Sequence, residues 1–145
     1  MFILDTDHLV LLEQRRGFEC ENLIARMARH SPSSFFVTIA SFHEQVNGWN
    51  QYLSKATTSE GAMKGYHRLE LLLSTYAAAQ ILPFGSGAAE IFEDLRSQRV
   101  RVATMDLRIG AIALANQMTI LTRNTIDFGR IPNLLFEDWT TSPMT

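Results

Sequence analysis

The chain has 145 residues, of which 46% are hydrophobic, and this length and composition predict one domain, spanning 1–145, with a core of ample size. Its formal net charge of −2 argues against a general nucleic-acid-binding protein, because such proteins usually carry a basic excess. The lone Cys20 excludes an internal disulfide bond and a cysteine-based zinc site, and with no signal segment or apolar run of membrane-spanning length we expect a soluble, cytoplasmic protein without membrane association.

The chain begins with a short apolar run that two acids follow. Residues 2–4 are apolar without alternation, which predicts a strand covered on both faces, as in a parallel sheet. In open parallel sheets, ligands bind beyond the carboxyl ends of the strands, where Asp5 and Asp7 would lie. Both acids are also ordinary N-cap residues for a helix that begins near His8, so the capping and the site interpretations both stay open.

Helices and short strands alternate along the rest of the chain. We expect helices over 8–16, with Gly17 as C-cap, over 19–30 and 39–53, within 55–79, and from 86 and 106 onward. Short strands are expected at 35–37, 80–84, 119–122 and 134–136, with a polar loop over 123–130. This alternation predicts the α/β fold class, as a three-layer α/β/α domain with a parallel sheet of about five strands.

Glu44 is a candidate site residue on the helix expected over 39–53. It lies roughly opposite the apolar stripe of this helix, so packing against the core does not explain it. One alternative is a capping box that starts at Ser41, in which Glu44 would bond a backbone amide. The apolar stripe begins before Ser41 and favours Thr38 as the N-cap, so we expect Glu44 to lie where it can meet Asp5.

Two more acids fall near the same predicted edge of the sheet. Asp106 begins a helix, where the helix dipole stabilises an acid in any protein, and Asp127 follows a strand, where a turn residue also fits. Together with Asp5 and Glu44 they form a set of carboxylates that would repel strongly unless a hard divalent cation neutralised them. Oxygen-only ligands suit Mg²⁺ or Mn²⁺, so the sequence predicts a site for one of these ions.

The order of these acids resembles the pattern of PIN-domain ribonucleases and, within them, of VapC-type toxins from bacterial toxin–antitoxin pairs. The resemblance spans nearly the whole chain, and its most specific part is the stretch 122–128. Family members more often have Asn or Ser where this chain has Asp7, which leaves open whether Asp7 is a metal ligand or a cap. The resemblance implies a five-strand PIN-like fold, metal-dependent cleavage of RNA phosphodiester bonds, a homodimer, and inhibition by a cognate antitoxin.

Each candidate residue has an expected role in such a reaction. Three acids would hold the ion, directly or through water, so that it binds a phosphate oxygen and lowers the pKa of an attacking water: Asp5, Asp106 and Asp127. Glu44 would complete the metal site or accept the proton of that water, and the sequence leaves both roles open. We expect Thr6 and Asn124 to orient carboxylates, and Arg123 to contact RNA phosphate.

Two functions from other classes fit parts of the sequence. A haloacid-dehalogenase-like phosphatase also begins with an apolar strand and Asp-x-Asp, here Asp5 and Asp7, but it needs a later lysine near its site. The chain has only Lys55 and Lys64, both in the middle segment, away from any predicted strand end. The other alternative is a non-catalytic α/β interaction module in which every acid is a cap or turn residue, and a metal-binding titration would distinguish it.

Overall fold

A five-stranded, fully parallel sheet forms the centre of the computed structural model, which describes residues 1–142. Its strands are β1 (Phe2–Leu4), β2 (Phe35–Thr38), β3 (Ile81–Leu82), β4 (Thr119–Leu121) and β5 (Phe136–Glu137). They lie side by side in the order β3-β2-β1-β4-β5. The predicted α/β class and the parallel sheet of about five strands are therefore confirmed.

Seven α-helices and one 3₁₀ turn, Pro32–Ser34, connect these strands within residues 1–142. The helices are α1 (Thr6–Gln14), α2 (Phe18–Met27), α3 (Ile39–Lys55), α4 (Ser59–Ala77), α5 (Ser86–Ser97), α6 (Thr104–Asn116) and α7 (Thr125–Phe128). Most bounds agree with the sequence-based expectations to within a few residues. In this described part of the chain, no helix has both the length and the apolar character needed to cross a membrane.

Two local expectations are wrong. The first helix ends two residues earlier than expected, and its C-cap is Arg15, whose left-handed φ of 53° lets its N–H bond the Leu11 carbonyl. Gly17 instead precedes α2 with a φ of 93°, a conformation that side-chain-bearing residues rarely adopt. The expected polar loop over 123–130 contains α7, because the Asn124 side chain caps a helical turn there.

Successive residues of the central strands pack into different layers. Ile3 and Ile120 are fully buried in a cluster with side chains of α5 and α6. The next residue of each strand, Leu4 and Leu121, belongs to a second cluster with side chains of α1, α2 and α4. Because side chains alternate across a strand, the two clusters cover opposite faces of the sheet, and the domain has the predicted three layers.

The register of the central strands brings residues from distant parts of the chain to one edge. β1 pairs with β2 on one side and with β4 on the other, where Leu4 is the partner of Leu121. Asp5 extends this ladder, since its N–H donates to the Leu121 carbonyl at 3.0 Å. Residues that follow β1 and β4 therefore emerge side by side at the carboxyl edge of the sheet.

We predict that Gly65→Ala destabilises the protein, because α3 and α4 pack without space for a side chain there. A Cβ on Gly65 would lie 2.7 Å from Leu53 Cγ and 3.2 Å from Tyr52 Cδ1. Overpacking of this kind costs about 1–3 kcal/mol, more than the helix propensity of about 1 kcal/mol that alanine adds.

Gly48→Ala is the matched control, because a Cβ on Gly48 of α3 would meet nothing within 4 Å. Its melting temperature should rise above that of the wild type, whereas that of Gly65→Ala should fall. Thermal unfolding followed by circular dichroism measures both. Two variants that stabilise the protein equally would contradict the close contact between α3 and α4.

Candidate active site

Asp5 follows β1 and caps α1 at the carboxyl edge of the sheet. Its Oδ1 accepts a hydrogen bond from Thr6 N at 2.8 Å, and its Oδ2 accepts one from Thr122 Oγ1 at 2.8 Å. The residue is only 6% exposed. The capping interpretation is confirmed, and it does not exclude a site role, because the second carboxylate oxygen faces the neighbouring strand end.

Glu44 is held at the same edge by a residue of α1. Thr38 is the N-cap of α3 and accepts from Ser41 N at 3.0 Å, so the capping box that would begin at Ser41 is wrong. Glu44 instead accepts a hydrogen bond at Oε1 from Thr6 Oγ1 at 2.7 Å. Thr6 thus joins Glu44 to the start of α1, directly beside Asp5.

Asn124 connects the two remaining acids. Its Nδ2 lies 3.3 Å from Asp106 Oδ2, in the first turn of α6, and 3.1 Å from Asp127 Oδ2, in α7. Arg130 Nη1 also lies 3.4 Å from Asp127 Oδ1. One amide group therefore fixes the relative orientation of two carboxylates that the chain separates widely.

The acids act on one another electrostatically. Burial, and next the negative charge of Asp7, raise the pKa of Asp5 from 3.8 to about 7. Burial, and next the charges of Glu44 and Asp127, raise the pKa of Asp106 from 3.8 to about 6. The four acids chosen from sequence are thus brought together with Asp7 in one field of mutual repulsion.

Sequence reasoning missed Thr122 and His8, two fully buried residues of this site. Thr122 Oγ1 donates to Asp5 and accepts from Asn124 N at 3.0 Å. His8 Nδ1 lies 2.7 Å from Asp7 Oδ1. The available signal was position, because Thr122 is the last residue of the strand predicted over 119–122 and so lies at the same edge of the sheet as Asp5.

Arg123 and Asp7 are both engaged by protein partners. The Arg123 guanidinium forms an ion pair with Glu19 of α2, with Nη2 and Oε1 3.0 Å apart, and its backbone N–H donates to Asp7 Oδ2 at 3.0 Å. The Arg123 side chain is about half exposed, at 46%. It lies beside the acids but is directed towards α2 in this conformation.

The donor chemistry of the site fits a hard divalent cation. Its candidate ligands are carboxylate oxygens, which Mg²⁺ and Mn²⁺ prefer. Within residues 1–142, however, no group of three or more His, Cys, Asp or Glu side chains is arranged so that it could hold an ion. An Mg²⁺ ion commonly keeps several of its waters, so such an ion would bind these acids partly through water.

The four acids do not line a cavity that lies between α1 and α4. That cavity, of about 430 Å³, is lined by residues of α1 and α4, including Leu12, Arg68 and Leu71. The acids are the better candidate for a site, because the pKa values of Asp5 and Asp106 are raised, and such shifts are frequent among catalytic groups.

Comparisons with known proteins agree with this geometry. No family model matches the chain. Ribonuclease VapC of Rickettsia bellii is 41% identical over 58 residues, covering 37% of this chain and 43% of that protein. Ribonuclease VapC2 of Rickettsia felis is 30% identical over 76 residues, covering 50% and 54%. The chain thus matches about half the length of these curated relatives.

Solved structures match over almost the whole chain. One is DNA-bound VapBC from Salmonella typhimurium, with a TM-score of 0.73, 20% identity, and coverage of 95% of this chain and 97% of that one. Another is VapBC-1 from nontypeable Haemophilus influenzae, with a TM-score of 0.69, 20% identity, and coverage of 97% and 98%. The chain has the PIN-like fold. At these identities the structural likeness shows the fold alone.

The raised pKa values predict that the metal-free PIN-like domain loses stability as pH rises. An acid whose pKa is higher in the folded than in the unfolded protein binds more protons when the protein is folded. Its contribution to stability is therefore complete below the unfolded pKa and is lost as pH rises to the folded pKa. For Asp5 this window runs from 3.8 to about 7, and for Asp106 from 3.8 to about 6. The Asp5 shift corresponds to a loss on the order of 4 kcal/mol across its window.

Urea unfolding of the wild type and of Asp5→Asn, in EDTA between pH 4 and 8, measures this loss. The difference in unfolding free energy between the two proteins should grow in favour of Asp5→Asn as pH rises. Glu93→Gln, at an exposed position of α5, should follow the wild-type curve. Parallel curves for the wild type and Asp5→Asn would show that Asp5 is not destabilised by its neighbours.

Proposed function

We propose that the chain is a VapC-type ribonuclease that hydrolyses phosphodiester bonds of RNA and acts as the toxin of a toxin–antitoxin pair. The observation that carries the proposal is the meeting of four acids at the carboxyl edge of a PIN-like sheet: Asp5, Glu44, Asp106 and Asp127. The curated relatives named Ribonuclease VapC support the activity. The solved VapBC complexes have the same fold.

The proposed cofactor is Mg²⁺ or Mn²⁺, held by three acids directly or through water: Asp5, Asp106 and Asp127. Such an ion supplies charge neutralisation at a phosphate oxygen and lowers the pKa of a bound water. Asn124 keeps two of these carboxylates in a fixed relation through its amide hydrogens. Thr122 fixes the third through its bond to Asp5 Oδ2.

Glu44 is the proposed acceptor of a proton from the attacking water, with a direct metal role as the alternative. Thr6 Oγ1 donates to Glu44 Oε1, so this contact fixes one oxygen and leaves Oε2 for a proton or an ion. The bond also prevents the flexible Glu44 side chain from turning away into solvent. A fixed position favours proton transfer, because a general base must lie within hydrogen-bond reach of the proton that it accepts.

The phosphatase alternative has no support in the structure. Lys55 is in the last turn of α3 and Lys64 is on α4 over the Tyr52 ring, so neither follows a strand end. Asp7, which would be the second acid of Asp-x-Asp, is bonded by His8 Nδ1 and Arg123 N.

We propose two protein partners, a cognate antitoxin and a second copy of the chain, and a location in the cytoplasm. Exposed apolar side chains on one helix support a protein interface, since Met63, Tyr66 and Leu73 of α4 are 71%, 60% and 63% exposed. We propose that part of this surface is buried in a homodimer, while the antitoxin covers another groove near the acids. RNA and antitoxin would both be met in the cytoplasm.

We predict that Asp5→Asn and Asp106→Asn each abolish RNA cleavage and growth arrest without unfolding the protein. The amide keeps the volume and one accepting oxygen of each side chain but removes the charge that would hold the ion. Each variant should cleave RNA at least 100-fold more slowly than the wild type, in line with loss of a group on which the chemistry depends.

The control for these variants is Glu93→Gln, which removes a charge from an exposed residue of α5 and should retain full activity. Cleavage of total RNA with Mg²⁺, circular dichroism and growth on induction are the measurements. Folded Asp5→Asn or Asp106→Asn protein that still cleaves RNA would refute the proposed site. A wild type that hydrolyses p-nitrophenyl phosphate but not RNA would favour the phosphatase.

We also predict that Mg²⁺ raises the melting temperature of the wild type, because an ion that binds only the folded state relieves the repulsion among its acids. Mg²⁺ at ten times its dissociation constant would add about 1.4 kcal/mol to the unfolding free energy. Asp106→Asn should be at least as stable as the wild type in EDTA at pH 7.5, since its charge is desolvated and repelled in the fold.

Melting curves in EDTA and in Mg²⁺, at matched ionic strength, decide this point. The Mg²⁺-induced rise should shrink sharply in Asp106→Asn and persist in Glu93→Gln. If the acids were only caps and turn residues, Asp106→Asn would lose stability in both buffers and the wild type would not respond to Mg²⁺. That pattern would support the non-catalytic module.

A further inference from the structure

His8 is an imidazole with no exposed surface, and both of its ring nitrogens have partners. Nδ1 lies 2.7 Å from Asp7 Oδ1, and Nε2 lies 3.3 Å from the backbone nitrogen of Trp139. A backbone N–H can only donate, so Nε2 is the acceptor in the second contact. The ring proton therefore lies on Nδ1 and is donated to Asp7.

The second oxygen of Asp7 holds the chain just after β4. Asp7 Oδ2 accepts from Arg123 N at 3.0 Å and lies 3.4 Å from Thr122 Oγ1. Asn124 N in turn donates to Thr122 Oγ1 at 3.0 Å. A continuous set of hydrogen bonds thus runs from Trp139 through the imidazole and the Asp7 carboxylate into the segment 122–124.

That segment carries the groups that orient the acids of the site. Thr122 bonds Asp5 Oδ2, and the Asn124 amide lies within hydrogen-bond distance of both Asp106 and Asp127. None of these contacts involves His8 itself. Any rotation of the Asp7 carboxylate would nevertheless release the Arg123 amide and so alter the position from which Thr122 and Asn124 act.

We propose that His8 is a positioning residue, which holds the Asp7 carboxylate against the Arg123 amide and thereby fixes the segment 122–124 that orients the metal-binding acids. This inference rests on the proposed function, since it concerns the same site. The hydrogen bonds of the His8 imidazole reach none of the acids that would hold the ion, so the side chain acts through Asp7. It also explains why a polar ring occupies a fully buried position of α1, where an aliphatic residue would pack without requiring partners.

The decisive comparison is between two substitutions of nearly identical shape, His8→Asn and His8→Leu. Asn places an N–H donor where Nδ1 of the imidazole lies, whereas Leu places a methyl group there. Both lose the acceptor for Trp139 N, and of the two only Asn can donate a hydrogen bond to Asp7. Calorimetric titration with Mn²⁺ gives the metal affinity, and single-turnover cleavage of RNA separates the rate of chemistry from substrate binding.

His8→Leu should bind Mn²⁺ about 10- to 100-fold more weakly than the wild type, the usual loss when a group behind a metal ligand is removed. Its cleavage rate should fall while substrate binding changes little. His8→Asn should recover most of both losses. Equal Mn²⁺ affinity in the two variants would overturn the proposal. If His8→Leu does not fold, a loss of Mn²⁺ affinity of about 10- to 100-fold in His8→Asn would overturn it.

The role of Asp7 is tested by repeating the substitution in an Asp7→Asn background. If His8 acts only through the Asp7 carboxylate, adding His8→Leu to Asp7→Asn should change Mn²⁺ affinity by less than about twofold, since coupled residues are not additive. A full additional 10-fold loss would mean that His8 stabilises the site by another route and would overturn the proposal.

Two measurements without metal or RNA keep this inference separable from the proposed function. Long-range proton–nitrogen NMR should show the His8 proton on Nδ1, and hydrogen exchange should show the Arg123 amide protected in the wild type and in His8→Asn but not in His8→Leu. If the wild type neither binds metal nor cleaves RNA, the proposed function fails while this result still decides the positioning. Unchanged Arg123 protection in His8→Leu would overturn it.

Discussion

Repulsion among carboxylates at one edge of a parallel sheet is the constraint on which the rest of this site depends. Asp5 is buried, Asp106 is half-buried, and both lie near other acids, so both bind protons more tightly than exposed acids do. Neutral donors meet each of them: Thr122 at Asp5 and Asn124 at Asp106. The donors limit the repulsion without cancelling the charge, and a charge that stays uncancelled can attract a cation.

Capping and site chemistry are carried by the same side chains here, because each has more than one polar atom. Asp5 caps α1 with Oδ1 and bonds the neighbouring strand end with Oδ2. Asn124 caps α7 with Oδ1 and contacts two acids with Nδ2. A structural explanation for a residue therefore does not compete with a functional one. The caps fix the side-chain rotamers, and fixed rotamers are what a precise arrangement of charges needs.

Features that depend on neighbouring residues in the chain could be predicted from the sequence. The cap at Thr38 followed from the start of an apolar stripe, and the edge position of Asp5 from the short strand before it. Two contacts could not be predicted in this way, because the partners are distant in sequence: Thr122 meets Asp5 across 117 positions, and His8 meets Trp139 across 131. Only the pairing of β1 with β4 and the path of the final segment create those contacts.

An acidic edge that attracts a cation also repels a phosphodiester, so the proposed reaction requires the two to bind in a definite order. The basic groups nearest to the acids do not remove this repulsion in the metal-free protein, because Arg123 is paired with Glu19 and Arg130 with Asp127. Both pairs are exposed, and exposed pairs are weak, on the order of 1 kcal/mol or less. Once a cation neutralises the acids, either arginine can exchange its carboxylate partner for a phosphate at a small cost in free energy. Under the proposed function, the cation therefore creates the RNA-binding surface as well as the chemistry, and RNA would bind weakly without it.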